Sequence, residues 1–362
     1  MWKLLRPDAA TVLEDPLAKK SLSRYFDVMQ NNKIAKFKIS KSLPAKFANS
    51  SSTEELWQEH AKLTEQFSRI ERQTDHSKKV EATDIPEKSY FDLKLELSRR
   101  IIRDCNFCNR KCRVDRAAGK LGYCRCGNTL MVSSMFMHVG EEPELVPSGT
   151  IFTMGCTIRC FHCQNWVISQ WVEKGSNYTP EAMAVEVEHL RVEGCRNVNL
   201  VGGEPTPWLN HWLQTFKYVE TNVPVVWNSN SYYSTHTAQL LVGFADVYLL
   251  DFKYGSDVCA RRISDAPNYW EVCTANHLKA KAYGELIIRV LVLPNHLDCC
   301  TEPILNWIAK HLGVETRVNL MFQYRPEWQA HRLPDLRRTL TTKERNRALE
   351  LAKNAGLCNI IT

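Results

Sequence analysis

The stretch that decides the fold is residues 149–170, GTIFTMGCTIRCFHCQNWVISQ, in which an apolar run leads directly into a cysteine loop. The run GTIFTM is short, apolar and β-branched, which is typical of a buried strand. Three cysteines spaced C-x3-C-x2-C follow it: Cys156, Cys160 and Cys163. Structural metal sites use four protein ligands, because a closed tetrahedron leaves the ion no free position. Three cysteines therefore predict a metal centre with one open coordination position.

The rest of the chain from residue 149 repeats this strand signal with helices between the strands. The six predicted strands are GTIFTM (149–154), RNVNLVGG (196–203), VPVVWNSN (223–230), DVYLLDFKY (246–254), ELIIRVLVLP (285–294) and RVNLMFQYRP (317–326). The predicted helices between them span 179–195, 211–222, 235–245, 268–284 and 301–313. Nearly continuous apolar strands alternating with helices indicate a parallel sheet covered on its outer face. Six such units predict an α/β fold, a partial (β/α)6 TIM-type barrel.

Polar residues follow the predicted strands at the same end of each. They are Glu204, Asn228, Asp251 with Lys253, Arg289 and Gln323. In β/α barrels the carboxyl ends of the strands converge on the active site. We therefore expect these side chains and the cysteine loop to surround one cavity.

Thiolates in this arrangement are ligands for iron–sulfur clusters, zinc or copper. A four-iron cluster held by Cys156, Cys160 and Cys163 would leave its fourth iron free for an outside ligand. The alternative is a zinc loop whose fourth ligand comes from elsewhere, for example His162.

The cysteine spacing after the first barrel strand resembles the C-x3-C-x-Φ-C signature of the radical S-adenosylmethionine (radical SAM) superfamily. That resemblance implies a [4Fe-4S] cluster whose open iron is chelated by the amino and carboxylate groups of SAM. One electron from the cluster then breaks a C–S bond of SAM and gives a 5′-deoxyadenosyl radical, which takes a hydrogen atom from the substrate.

Within the superfamily, residues 138–294 resemble the pyruvate formate-lyase activating enzymes, and most of all their PflX-like branch. The segments that carry this likeness are HVGEEPELVPSGTIF, CTIRCFHCQNWVISQ, VGGEPTP, NSNSYY, DVYLLDFKY and LIIRVLVLP. The resemblance implies that Gly202, Gly203 and Glu204 receive the SAM ammonium group. It places Asp251 and Lys253 near the ribose and carboxylate of SAM, with Arg289 as a second cation for that carboxylate.

Two positions depart from the pattern of the activating enzymes. The residue before the third cysteine, usually aromatic and near the adenine, is His162, with Phe161 one place earlier. The segment after the third strand begins with Asn228 and Ser229, where the activating enzymes have an aspartate. The monovalent-cation site that those enzymes build there is therefore not expected in the same form.

A second cysteine cluster lies upstream, in CNFCNRKCRVDRAAGKLGYCRCG (105–127). Cys105, Cys108, Cys112 and Cys124, with Cys126 close by, offer four thiolates, which predicts a closed structural or electron-carrying site. Zinc and an auxiliary iron–sulfur cluster both remain open, as does a metal-free cluster. The basic residues around it either offset thiolate charge or contact RNA. The remaining cysteines, at 195, 259, 273, 299, 300 and 358, are interpreted mostly as buried small apolar side chains.

The chain divides by pattern into a helical N-terminal extension (1–100), a Cys-rich metal-binding segment (101–148) and the barrel (149–362). Its 44% hydrophobic and 24% charged residues are those of a globular protein, and no apolar run reaches the length of a membrane span. The first residues lack the apolar core of a signal peptide. With fourteen cysteines in this pattern, a reducing cytoplasm is expected.

The function predicted from the resemblance is a radical SAM enzyme acting on a protein or peptide. It implies an electron donor such as flavodoxin or ferredoxin. One alternative is radical modification or methylation of RNA or a small molecule, although the net charge of +7 is too mild to indicate nucleic-acid binding. A second alternative is a non-catalytic iron–sulfur electron carrier.

Overall fold

A computed structural model describes residues 2–48, 50–76 and 85–362 and shows a mixed α/β fold around a nine-stranded sheet. The sheet order is β3-β1-β2-β4-β5-β6-β7-β8-β9. The strands are β1 (Leu130–His138), β2 (Ser148–Thr153), β3 (Ser176–Tyr178), β4 (Asn197–Gly202), β5 (Val225–Ser229), β6 (Val247–Asp251), β7 (Glu285–Leu291), β8 (Arg317–Met321) and β9 (Ile360–Ile361).

The six predicted strands are confirmed as β2 and β4 to β8, all parallel and adjacent in the sheet. The partial barrel is therefore present. Three further strands extend it: β9 adds a short parallel edge, while β1 and β3 are antiparallel on the other side. The sequence analysis did not predict these three strands. In β1 the side chains are only half buried, so it lacks the continuous apolar run on which the other predictions rested.

The helices lie between the strands and in the N-terminal third of the chain. They are α1 (Trp2–Leu5), α2 (Pro7–Thr11), α3 (Pro16–Ser21), α4 (Ser23–Met29), α5 (Lys36–Ser42), α6 (Thr53–His76), α7 (Tyr90–Arg103), α8 (Trp166–Ser169), α9 (Pro180–Val192), α10 (Leu209–Tyr218), α11 (Thr235–Leu241), α12 (Asp257–Ser264), α13 (Tyr269–Tyr283), α14 (Glu302–His311) and α15 (Thr342–Asn354). A π-helical turn, Leu297–Thr301, precedes α14. Several helices begin at a side-chain cap, among them Thr179, Ser234 and Ser256, which satisfy backbone N–H groups of the first turn.

The N-terminal helices cover the end of the barrel opposite the cysteine loop. Asp246, just before β6, accepts hydrogen bonds from the Arg24 side chain (3.1 Å) and the Lys36 amide (3.0 Å). Glu285, the first residue of β7, accepts from the amides of Arg24 (2.8 Å) and Tyr25 (2.6 Å) at the start of α4. Apolar side chains at this end of the sheet complete the contact with α4: Leu145, Val226, Val247, Leu249 and Ile287. The N-terminal extension thus closes this end of the barrel, in part through the positively charged side chain of Arg24.

One large apolar core joins the N-terminal helices, the Cys-rich segment and the outer helices of the barrel. It contains Phe67 of α6, Phe91 of α7 and Phe244 beside the barrel strands, all buried. The division of the chain at residues 100 and 148 remains a prediction. Among the described residues, no helix combines the length and the apolar character needed to cross a bilayer.

Candidate functional site

The three-cysteine loop lies at the carboxyl end of β2 and starts from a glycine. Gly155 has a φ of +83°, and a Cβ at this position would lie 2.5 Å from Cys126 Sγ. Further along, the amides of Arg159 and Phe161 donate to main-chain carbonyls at the end of α12 (2.8 and 3.0 Å). The loop is therefore held between the upstream cysteine segment and α12, and glycine is required where the two backbones meet.

The three thiols of this loop are largely enclosed by protein. Each sulfur has a polar partner: Asn230 Nδ2 at 3.5 Å for Cys156, Ser264 Oγ at 2.9 Å for Cys160 and Ser169 Oγ at 3.2 Å for Cys163. Burial raises the pKa of all three thiols, that of Cys163 to about 11. Without a metal these thiols hold their protons at neutral pH, so ligation of iron must displace the protons.

The predicted glycine pair forms a tight turn against the start of the cysteine loop. Gly203 donates its amide to Thr153 O (2.8 Å), and a Cβ on Gly203 would lie 2.2 Å from Gly155 O. Gly202 has a φ of +120°, and its Cβ would overlap the Thr153 backbone. These two positions need glycine because the ends of β2 and β4 approach so closely. The turn leaves main-chain atoms beside the cysteines.

Glu204 follows this turn and is fully buried. Its carboxylate accepts hydrogen bonds from Ser229 Oγ (2.7 Å), the Asn230 amide (2.9 Å) and both the amide and hydroxyl of Thr206. Burial raises the pKa of Glu204 above its usual value despite these donors. Most of its acceptor capacity is used inside the protein, so Glu204 ties the glycine turn to the end of β5.

Asn228 and Arg289 meet at the ends of β5 and β7. The Arg289 guanidinium donates to Asn228 Oδ1 (3.2 Å), to Glu142 through Nε and NH2 (both 2.7 Å), and to Glu141. Burial would lower the pKa of Arg289, but the two carboxylates raise it above its usual value. Sequence reasoning missed Glu141 and Glu142, although both stand in the quoted segment HVGEEPELVPSGTIF. Their charge already balances Arg289.

Asp251 and Lys253 form an ion pair at the end of β6, with Nζ and Oδ2 2.7 Å apart. The Lys253 amide donates to the Tyr269 hydroxyl (3.0 Å), which fixes the strand end. Burial would lower the pKa of Lys253, but the Asp251 carboxylate and the Cys160 thiol raise it above its usual value. Lys253 is therefore a cation throughout the physiological pH range, next to the cysteine loop.

His162 lies on the inner side of the loop, with Nε2 3.1 Å from the Tyr254 hydroxyl and its ring edge-on to Tyr324. Burial lowers the pKa of His162 to about 3, so the imidazole is neutral. The segment after β8 crosses above it, where Gln164 Nε2 donates to Gln323 O (3.1 Å). Tyr254 and Tyr324 gave no signal in the sequence, because each meets His162 only through the fold.

One cavity collects the predicted residues at the carboxyl ends of the strands. It is lined by Cys156, Cys160, His162, Cys163, Gly202, Gly203, Glu204, Asn228, Ser229, Asp251, Lys253, Arg289 and Gln323. Within it, Asn228 Nδ2 is buried and has no hydrogen-bond partner in the protein. A buried donor without a partner is costly, and a ligand with an acceptor group would satisfy it. The cavity suits an amino-acid-like ligand, because it offers main-chain atoms of the glycine turn, a free amide donor and a buried cation.

The upstream cysteine segment packs against the back of this loop. Backbone hydrogen bonds and side chains bring Cys105, Cys108, Cys112 and Cys124 into one neighbourhood, with Arg116 buried beside them. The pKa of Cys124 is lowered to about 6, first by a hydrogen bond with Cys126 and also by Arg116. Trp171 Nε1 donates to Cys124 O (3.0 Å), which connects this segment to the chain following the three-cysteine loop.

The comparison with known proteins defines the family. A sequence model of the radical SAM superfamily matches residues 150–308. The chain is 42% identical over 342 residues to the uncharacterized protein MJ0674 of Methanocaldococcus jannaschii, covering 93% of this chain and 98% of that protein. A second protein of that organism, MJ0808, is 24% identical over 275 residues, covering 68% and 78%. The chain belongs to the radical SAM superfamily, whose cofactors are a [4Fe-4S] cluster and SAM.

Two solved structures resemble parts of the chain. Streptococcus suis SuiB bound to its precursor peptide SuiA has a TM-score of 0.43 at 10% identity, covering 57% of this chain and 46% of SuiB. TYW1 with a lysine–pyruvate adduct has a TM-score of 0.35 at 15% identity, covering 57% and 72%. This chain thus spans less than half of the SuiB chain.

Proposed function

We propose that the cavity at the strand ends is the active site of a radical SAM enzyme of the pyruvate formate-lyase activating type, with a protein or peptide as substrate. The observation that carries this proposal is the convergence of three loop cysteines, the glycine turn, Asn228 and Lys253 on one cavity. When bound there, the cluster and SAM supply a 5′-deoxyadenosyl radical, which removes a hydrogen atom from the substrate.

The residues around the cavity have separable tasks in this proposal. Cys156, Cys160 and Cys163 hold the cluster, and their polar partners orient the sulfur atoms. The glycine turn, whose two glycines line the cavity, offers main-chain oxygen atoms to the SAM ammonium. Lys253 faces the SAM carboxylate as a permanent cation.

Asn228 stands where the activating enzymes have an aspartate, and we propose a different use for it. Its Oδ1 accepts a hydrogen bond from Arg289, while its Nδ2 is a buried donor with no partner in the protein, on a residue that lines the cavity. A donor amide suits a carboxylate or hydroxyl oxygen of SAM and does not suit a monovalent cation. The resemblance assigned Arg289 to the SAM carboxylate, but four of its five N–H groups are engaged by protein acceptors. We therefore assign it first to holding Glu141 and Glu142.

The charge of the cavity supports a protein or peptide as substrate over a nucleic acid. Its two basic side chains, Lys253 and Arg289, are each paired with carboxylates. The lining residues at the ends of β7 and β8 are uncharged: Leu291, Met321 and Gln323. Nucleic-acid sites depend on unpaired cations that contact phosphates, and this lining offers none. A neutral polypeptide segment fits this lining better.

The upstream cysteines are proposed as a second metal site on Cys105, Cys108, Cys112 and Cys124. In the described part of the chain, no three of them bring their sulfur atoms within 4.8 Å of one another, and the same holds for the three loop cysteines. A single zinc ion would draw its thiolates to roughly 3.8 Å, since Zn–S bonds are about 2.3 Å long. The wider spacing favours an auxiliary iron–sulfur cluster over zinc.

The proposal includes an outside electron donor, of the flavodoxin or ferredoxin kind, because the cluster must be reduced before SAM is cleaved. It also places the protein in the cytoplasm, where all fourteen cysteines would remain reduced. The structure contains them as free thiols.

The proposed activity is tested on the anaerobically reconstituted full chain by electron paramagnetic resonance. We expect a reduced four-iron signal whose line shape changes on addition of SAM, followed by formation of 5′-deoxyadenosine. A variant with Cys156, Cys160 and Cys163 all changed to Ala should lose the SAM-responsive signal. Its survival in that variant would contradict the assignment. Deuterium transfer from labelled cell protein or labelled small molecules into 5′-deoxyadenosine then distinguishes the substrate classes.

A further inference from the structure

A third group of metal-ligating side chains lies outside the cavity, where sequence analysis had interpreted the cysteines as apolar core. Cys259 of α12 meets Cys299 and Cys300 of the π-helical turn after β7 and His296, the residue just before that turn. The sequence analysis interpreted most of the remaining cysteines as buried small apolar side chains; in the structure Cys299 is exposed, and the three lie together beside His296. Chain separations of 37 and 40 residues hid the group, because only the packing of α12 on this turn brings its members together.

The ligand atoms of this group are spaced for one small ion. Cys259 Sγ lies 3.8 Å from Cys299 Sγ and 3.7 Å from His296 Nδ1, while Cys299 Sγ lies 3.2 Å from Nδ1 and 3.9 Å from Cys300 Sγ. All four ligand atoms lie within 4.8 Å of one another. In a tetrahedron with Zn–S bonds of about 2.3 Å and Zn–N bonds of about 2.0 Å, sulfur–sulfur separations are roughly 3.8 Å and sulfur–nitrogen separations slightly less. The observed distances agree.

The second nitrogen of His296 has the partner that metal-bound histidines use. Nε2 lies 2.7 Å from Asp335 Oδ2, so a proton on Nε2 leaves the Nδ1 lone pair directed at the sulfur atoms. Arg262, on α12, donates to the same Asp335 carboxylate and lies 3.3 Å from His296 Nε2. The guanidinium would offset part of the negative charge of three thiolates around a divalent ion.

We propose that Cys259, His296, Cys299 and Cys300 bind one Zn²⁺ ion as a closed structural Cys3His site. An iron–sulfur cluster does not fit, because a cluster divides its four ligands between two or four irons, which places some ligand atoms farther apart than the 4.8 Å seen here. Cys299 is exposed and gives the ion a path of entry, while the other three ligands are buried. Zinc takes thiolates and imidazole in this combination.

The ion would anchor the back of the cysteine loop that holds the radical SAM cluster. Cys259 lies at one end of α12, and Ser264 at its other end donates to Cys160 Sγ. Backbone carbonyls of Ile263 and Ser264 also accept hydrogen bonds from the cysteine loop. A fixed position for α12 thus fixes the polar contacts of that loop. The site is structural, so this inference does not depend on which substrate the enzyme uses.

The first test measures metal content of the full chain, purified anaerobically and analysed for zinc and iron. Cys259→Ser and Cys299→Ser should each lose about one zinc per chain relative to wild type. The matched control is Cys195→Ser, a buried cysteine outside the group, which should keep it. The pair Cys108→Ser and Cys112→Ser should also keep this zinc, which separates the site from the upstream cysteines. Zinc retained after loss of Cys259 and Cys299 would overturn the proposal.

The second test uses the wild type and so does not depend on folding of a variant. Cys299 and Cys358 are both exposed, but only Cys299 would be a metal ligand. We expect iodoacetamide to modify Cys299 at least about tenfold more slowly than Cys358, until a zinc chelator is added, and added Zn²⁺ to restore the protection. Equal modification before and after the chelator, or a disulfide joining Cys259 to Cys299, would refute the site.

Discussion

Replacing Arg289 with Met tests whether this residue mainly holds two glutamates or mainly binds SAM. The substitution keeps the aliphatic part of the side chain and removes four hydrogen bonds, three of them to the carboxylates of Glu141 and Glu142. Those carboxylates are 5% and 1% exposed, so water does not replace the lost guanidinium. We expect the variant to be strongly destabilised.

The expected size follows from the burial of the ion pairs. Removing one partner of a buried pair costs about 3–5 kcal/mol, because a buried charge is left uncompensated. With an unfolding entropy of roughly 2.1 cal/mol/K per residue, a chain of 362 residues should lose about 4–7 °C in Tm. Arg338→Met is the matched control, since its pair with Glu344 is 44% exposed on the arginine side and is screened by solvent, so its loss should lower the Tm far less.

The loss of stability caused by Arg289→Met should also depend on pH in a definite direction. In the wild type, burial would raise the pKa of Glu141, but Arg289 and His138 lower it below its usual value. Its stabilising contribution is thus present above the unfolded pKa of about 4.3 and is lost only as the pH falls through the lower folded pKa. Without Arg289, burial dominates and raises the pKa of Glu141 in the folded protein. The stability of the variant therefore falls as the pH rises above about 4.3. The Tm difference should therefore be larger at pH 7.5 than at pH 5.5.

The assay is differential scanning fluorimetry of the metal-free proteins at one scan rate, together with SAM binding to the reconstituted proteins. A variant with wild-type Tm and strongly reduced SAM affinity would refute this account. It would return Arg289 to the role of a SAM carboxylate ligand.

Three further changes test other parts of the site. Lys253→Ala should weaken SAM binding about ten- to hundredfold without loss of cluster iron, since a charge-assisted contact contributes about 1.5–3 kcal/mol. Unchanged SAM affinity in a calorimetric titration would mean that Lys253 does not bind the SAM carboxylate. Gly203→Ala should reduce iron incorporation, because its Cβ would lie 2.2 Å from a main-chain oxygen of the cysteine loop. The control variant Gly127→Ala, whose Cβ would have its nearest atom at 3.9 Å, should incorporate iron normally. Equal iron content in the two variants would contradict this expectation. Changing Cys108 and Cys112 together to Ser should lower the iron content by about four atoms per chain and lower the Tm, while the SAM-responsive signal remains. A double variant with full metal content and full stability would mean that these cysteines bind no metal.

The chain carries the barrel and the cluster loop in its local sequence. The parallel strands are buried on both faces, so each must be a nearly continuous apolar run, and such runs are visible without the structure. Carboxyl ends of parallel strands meet at one edge, which is why Asn228, Asp251 and Arg289 were predicted to share a cavity. The cysteine spacing is equally local, since Cys156, Cys160 and Cys163 lie within eight residues.

Other features have no local signal because they depend on pairs far apart in the chain. Arg24 meets Asp246 across 222 residues, and nothing near either residue indicates that the N-terminal helices close the barrel. The resemblance implied that Arg289 is a second cation for the SAM carboxylate, but Glu142, in the connection between β1 and β2, accepts two of its hydrogen bonds.

Cys259 and His296 are the clearest example of a contact that has no signal in the local sequence. Each is unremarkable in its own segment, and they become neighbours only when α12 packs on the turn after β7, with Nδ1 3.7 Å from Sγ. The sequence determines which elements form, because periodicity and burial act over a few residues. The tertiary structure alone determines which distant side chains come within bonding distance, because that depends on how the completed elements pack.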